Sequence, residues 1–157
     1  MTYSSAAVER LKFLHKVVSR EAKHLQTTDA RLFAAPLNLE LVQQLEYNEE
    51  LAERVEAFVS RFGRLQDTIG DKLLPQLLIF LGEKAGAAID NFDRAERLGW
   101  IKSTERWMEM RKLRNQMVHE YIDDLTILVD ALNFGHERVE DLVYAAKRML
   151  AEVERRI

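Results

Sequence analysis

The sequence has no cysteine, which excludes disulfide staples, thiolate-ligated zinc and thiol catalysis. It has only 2 prolines and 6 glycines in 157 residues, too few breakers for a chain of many short strands and turns. No segment alternates apolar and polar residues for long enough to read as a strand. Long hydrophobic runs are missing as well. The longest, Leu77-Leu78-Ile79-Phe80-Leu81, is far too short to span a bilayer. The opening residues lack the basic-then-apolar order of a secretory signal, so a reducing cytosol is the expected location. The formal net charge is -3, so the chain as a whole is no magnet for nucleic acid, and any such contact needs a local basic patch.

What is present is helix-forming. Hydrophobic residues make up 47% and charged residues 31%, with long stretches of Leu, Ala, Glu, Arg and Lys. One domain over residues 1–157 is expected, large enough to need neither metal nor disulfide for its core. Val8, Leu11, Leu14, Val18, Ala22 and Leu25 recur at steps of three and four and predict a first helix, interrupted at Thr27-Thr28-Asp29. A loop follows through Pro36, with Asn38 placed to cap the next helix. Leu51, Val55, Phe58, Phe62, Leu65 and Ile69 form a heptad-like seam. Gly70 and Pro75 predict a kink or a restart after it. A shorter helix is expected over Ala87–Leu98, and Ser103 is a candidate cap for a helix carrying Trp107, Met110 and Leu113. Asp123 or Asp124 opens a piece that Asn133 and Gly135 should end near Leu132, before a last amphipathic helix from Val139 to Ile157. The sum is an all-α bundle of five to seven helices.

Chemistry concentrates in Arg111-Lys112-Leu113-Arg114-Asn115-Gln116-Met117-Val118-His119-Glu120-Tyr121. A guanidinium grips phosphate with a fork of donors and stays charged at working pH. A histidine near it is pushed toward its neutral form, the form that accepts a proton as a general base. RNA brings its own nucleophile, the 2′-hydroxyl, so Arg114 and His119 would suffice for cleavage, with Asn115 orienting phosphate or ribose and no metal or other cofactor. The spacing sets a condition. Five residues on a straight helix turn the two side chains about 140° apart, with roughly 7.5 Å between them along the axis. Either the helix loosens before His119, or the converging groups come from two chains related by a two-fold. Around them Lys102, Arg106, Arg111, Lys112 and Arg114 outnumber Glu105 and Glu109, a patch able to track an RNA backbone or to lie as a solvated helix face with its own ion pairs.

Glu21 and His24 have the Glu-x-x-His spacing of a di-iron bundle, but no second copy accompanies them. His15 and His136 lack ligand partners at metal spacing, and no H-E-x-x-H, P-loop or G-x-S-x-G is present.

Arg114-Asn115-Gln116-Met117-Val118-His119-Glu120-Tyr121 resembles the R-N-x-x-x-H-x-Y signature of the HEPN superfamily in its HepT-like toxin branch. Trp107 to Leu113 is similar to the lead-in of that signature, as is Leu98-Gly99-Trp100-Ile101 upstream. Phe62-Gly63-Arg64-Leu65-Gln66-Asp67 and Gly70-Asp71-Lys72-Leu73-Leu74-Pro75 also resemble HepT-like stretches. The likeness covers roughly residues 50–125. It implies a HEPN-like homodimer and a type VII toxin–antitoxin ribonuclease, with Arg114 and His119 as the cleaving pair in a cleft between subunits and Asn115 assisting. It implies that Tyr121 is the position an MntA-like nucleotidyltransferase antitoxin modifies with AMP, a bulky anion that would shut the cleft. Arg111, Lys112, Arg106 and Arg64 would be RNA contacts. Two rival readings use the same bundle. One is a non-catalytic, substrate-binding partner of a nucleotidyltransferase, and the other is a helical adaptor whose basic patch serves protein contacts.

Overall fold

The computed structural model describes residues 4–119 and 124–157. Among these residues it is all helical, with no strand. The helices are α1 (Ser5–Leu32), the single turn α2 (Leu39–Val42), α3 (Glu49–Asp67), α4 (Leu74–Phe80), α5 (Ala88–Arg97), α6 (Thr104–His119) and α7 (Leu125–Arg156). A 3-10 turn, Gln43–Glu46, follows α2, and a π-helical turn, Thr68–Leu73, joins α3 to α4. The bundle is built on α1 and α7, 28 and 32 residues long, with α3 against both and α6 laid across α3 and α7.

Local chemistry sets most boundaries. The Ser4 hydroxyl, the Asn38 and Asn48 side-chain oxygens and the Asp124 carboxylate each accept from a backbone N–H in the first turn of the helix that follows. Ser103 Oγ does the same for Arg106 N at 2.9 Å, opening α6. These caps satisfy donors that a helix start leaves without a partner. The far ends of α4 and α5 close on Gly82 (φ 80°) and Gly99 (φ 78°), a left-handed conformation that glycine adopts without strain. Glu83 N donates back to Leu78 O and Trp100 N to Ala95 O, the six-to-one bonds of a helix stop.

The seam read from the sequence is the core. Val55, Phe58, Phe62, Leu65 and Ile69 are fully buried, facing Leu11, Leu14, Val18 and Leu25 of α1 and Leu128, Leu132 and Leu142 of α7. Three expected breaks differ. The first helix runs through Thr27-Thr28-Asp29 to Leu32. Thr27 Oγ1 donates to Lys23 O, Thr28 receives the Arg61 guanidinium, and Asp29 Oδ1 meets His136 Nδ1 at 2.7 Å, so each polar group is satisfied without leaving the helix. The last helix runs unbroken from Leu125, past Asn133 and Gly135. Asn133 Nδ2 donates to Leu37 O at 3.1 Å, and a Cβ on Gly135 would stand 3.3 Å from both Met117 Cε and Phe58 Cε1. Gly135 is a contact surface there, not a stop. Near Pro75 the chain does not restart: it widens into the π turn and continues directly as α4. The wide turn falls where proline has no N–H to give to the preceding carbonyls.

No described helix is long and apolar enough to cross a membrane.

Candidate functional site

The π turn and its neighbours bring α3 and α6 close. Gly70 lies under Phe92 and Trp107, and Gly63 lies under Arg114, so the two helices run antiparallel. Trp107, Met110 and Met117 are buried along α6 and fix its inner side. Arg114 sits at the edge of that side. Its stem crosses the bare backbone of Gly63, where a Cβ would be 2.9 Å from Nε and 3.2 Å from Cγ. Its Nη2 reaches Asp67 Oδ2 at 2.9 Å, and both side chains remain partly open to solvent, 39% and 43%. Gly63 and Asp67 are one helical turn apart, so α3 supplies a bed for the stem and a partner for the head.

Arg114 opens onto a cleft of about 550 Å³ also lined by Arg64, Thr68, Asp71, Lys72 and Val118. Arg64 also borders a neighbouring cleft of about 300 Å³ with Arg20, Glu21, His24 and Arg61. Between the two, Thr68 Oγ1 contacts Glu21 Oε1 at 3.1 Å and Arg64 O at 2.9 Å. Burial pushes the Glu21 carboxyl above the usual carboxylate range, although Thr68, Arg64 and Lys72 pull the other way. Among the described residues, Glu21 Oε2 is buried without a hydrogen-bond partner.

α6 is regular through His119. The helix therefore does not loosen before the histidine, and that way of bringing Arg114 and His119 together within one chain is closed. Asn115 and His119 are four apart, so they share an exposed face of α6 with Lys112, turned away from the Arg114 side. Tyr121 falls in 120–123, outside the described residues.

The other basic positions divide. Arg64 lines the cleft and is exposed. Arg111 is exposed on α6 with its guanidinium 6.0 Å from the Phe92 ring centre. Arg106 has a partner within the bundle: its Nε and Nη2 donate to Asp141 Oδ2 and Oδ1 at 2.7 and 2.9 Å, fastening α6 to α7. Lys102 adds a contact to Asp141 Oδ1 at 3.4 Å. Burial would raise the Asp141 carboxyl, but the Arg106 fork and then Lys102 outweigh it and hold it below the usual range. Two of its nitrogens are thus engaged by a buried carboxylate. Glu109 pairs with Arg138 of α7 at 3.6 Å, so the ion pairs of this region run between helices and not along α6.

Compared with family models, curated proteins and solved structures, the chain matches none. The geometry therefore carries the functional reading together with the signature residues themselves.

Sequence reasoning missed Asp67 as the partner of Arg114, Gly63 as its bed, and Lys72 and Glu21 as parts of the clefts. The block Phe62–Asp67 was singled out, but only packing separates its members. Phe62 and Leu65 are core, Arg64 and Asp67 face the cleft, and Gln66 is 2% exposed with its amide unpartnered among the described residues. Glu21 and His24 border a cleft rich in cations, and among the described residues no cluster of His, Cys, Asp and Glu could hold a metal ion.

Proposed function

We propose that the chain is a metal-independent endoribonuclease toxin of the HEPN type, working as a homodimer in the cytosol. The observation that carries this reading is the placement of the signature on α6. Arg114 opens onto a cleft that Arg64 and Lys72 also line, while Asn115 and His119 stand together on the outer face of the same unbroken helix. One copy thus offers a phosphate clamp and a proton carrier that face apart, and a two-fold pair would set the clamp of each beside the carrier of the other. Met108 and Val118 are left exposed on α6, apolar surface of the kind a second copy would cover.

In the cleft between copies, Arg114 holds the non-bridging oxygens of one phosphodiester. Neutral His119 takes the proton of the adjacent 2′-hydroxyl. The 2′-oxygen bonds to phosphorus as the bond to the 5′-oxygen breaks, and the second copy's histidine, in its protonated form, returns a proton to that leaving oxygen. The products are a 2′,3′-cyclic phosphate and a 5′-hydroxyl. Asn115, one turn from His119, orients the ribose or phosphate. Tyr121, two residues beyond the histidine, is where a nucleotidyltransferase antitoxin would place AMP to close the cleft.

The Arg114–Asp67 pair favours a second reading, because a guanidinium already holding a carboxylate need not hold substrate. The bundle would then be a non-catalytic, substrate-binding partner of a nucleotidyltransferase. Expression of the chain alone separates the two. The nuclease reading expects growth arrest and RNA ends bearing cyclic phosphate, both lost in His119→Ala and Arg114→Ala proteins that still fold and dimerise. Unchanged cleavage by a folded His119→Ala protein removes the nuclease role. A wild-type chain that binds the transferase and never cuts RNA establishes the alternative.

A further inference from the structure

The two clefts share Arg64, and together they mark out a track along α1 and α3. Its cations are Arg20, Arg61, Arg64 and Lys72, with Arg114 at one end and the His24 imidazole at the other. On α3 and the π turn, Arg61, Arg64, Thr68 and Lys72 follow at steps of three and four, a single stripe. On α1, Arg20 and His24 are one turn apart and face it. Arg61 is fixed by bonds to Thr28 Oγ1 and the His24 carbonyl, so the floor of the track is held in place. Arg20, Arg64 and Lys72 are exposed, and among the described residues none of the three makes an ion pair. Of the carboxylates along the way, Asp67 is occupied by Arg114, Glu21 is half-buried, and Asp71 is exposed beside Lys72. The five cations Arg20, Arg61, Arg64, Lys72 and Arg114 outnumber the three carboxylates Glu21, Asp67 and Asp71, a local positive excess on a chain that is acidic overall.

We infer that this track, from Lys72 past Arg64 to Arg20 and His24, carries the backbone of single-stranded RNA leading away from the phosphate at Arg114. The inference rests on the ribonuclease reading and adds to it where the rest of the substrate lies. Each phosphate on the track displaces counterions, so binding there weakens with salt and carries no base preference. The expected substrate is accordingly a strand extending several nucleotides to one side of the cut, not a dinucleotide.

The test uses the full chain carrying His119→Ala, so that RNA is bound without being cut. Binding of a labelled single-stranded oligonucleotide is measured against salt for three proteins: this carrier, the carrier with Arg20→Glu and Lys72→Glu, and the carrier with Arg97→Glu and Lys147→Glu. The last pair makes the same charge change at exposed sites that line neither cleft. The track expects at least a tenfold loss for the first pair and a log–log salt slope shallower by about 1.4, the share of two phosphates on a single strand. The control pair should stay within twofold. Equal losses in both pairs, or none in either, overturn the track and leave the nuclease reading standing. A carrier that binds no RNA overturns both. Polyglutamate binding as tightly as RNA, and lost with the Arg20–Lys72 pair, would assign the track to acidic protein instead.

Discussion

Two arginines of α6, equally open to solvent at 41% and 39%, hold aspartates that differ sharply in burial. Arg106 grips Asp141 with two donors, the carboxylate is 4% exposed, and Lys102 stands beside it. Arg114 touches Asp67 through one nitrogen, and both partners are open to water. The first pair joins α6 to α7, with two nitrogens of the guanidinium engaged by a buried carboxylate. The second is screened by solvent and contributes little to stability, so a phosphate can compete for the same guanidinium. One chemical pairing thus serves as a fastener at one end of the helix and as a holder that releases at the other.

Exchanging the roles is the way to break this contrast. The largest effect expected is on RNA cleavage by Arg114→Ala, a loss on the order of a hundredfold or more with the melting temperature almost unchanged. Arg106→Ala should do the reverse, cutting stability by about 2 kcal/mol and the melting temperature by roughly 4–8 °C while the folded protein still cleaves. A thermal melt beside a cleavage assay reads both; cleavage lost equally in the two variants would erase the distinction. Gly63→Ala comes next. Its new Cβ meets the flexible Arg114 side chain and not backbone, so the fold survives, but the guanidinium is pushed off its bed and cleavage falls about tenfold.

The acid limb of stability sharpens the comparison further. Asp141 has a folded value held below the ordinary carboxylate range, so its contribution is complete above that range and is lost as pH falls through its folded value. Asp141→Asn should therefore lower stability at neutral pH and flatten the loss on acidification below about pH 4. Denaturant melts at several pH values decide it, and parallel curves for the two proteins would count against the pair. The smallest effect belongs to Asp67→Asn, within about 0.5 kcal/mol of wild type. If the carboxylate only tethers Arg114, that variant binds RNA more tightly; if it aims the fork, cleavage drops while binding holds.

How much of this was legible depends on the range of the interactions. The core seam from Val55 to Ile69 and the caps at Asn38, Ser103 and Asp124 were readable, because each is decided within a turn or two of helix. The breaks expected at Thr27–Asp29 and at Asn133–Gly135 did not occur, because Arg61, His136, Leu37, Met117 and Phe58 reach those positions from elsewhere in the chain. The candidate site followed the same rule. Arg114 and His119 stood out by type and spacing. That Arg114 lies on Gly63 against Asp67, and that Arg106 belongs to Asp141, are facts of helix pairing, which no local pattern encodes.

The π turn at Thr68–Leu73 has a consequence for how this chain tolerates change in length. It holds one residue more than an ordinary turn, so the single deletion that closes it to regular pitch leaves α4 facing as before, where the same deletion in regular helix would turn everything beyond it by about 100°. Leu74, Leu77 and Leu78 would keep their places in the interior, and Lys72, inside the turn itself, is the residue whose position would change. The slack in this one turn is thus where the protein can be shortened without unseating its interior, at the expense of its basic track.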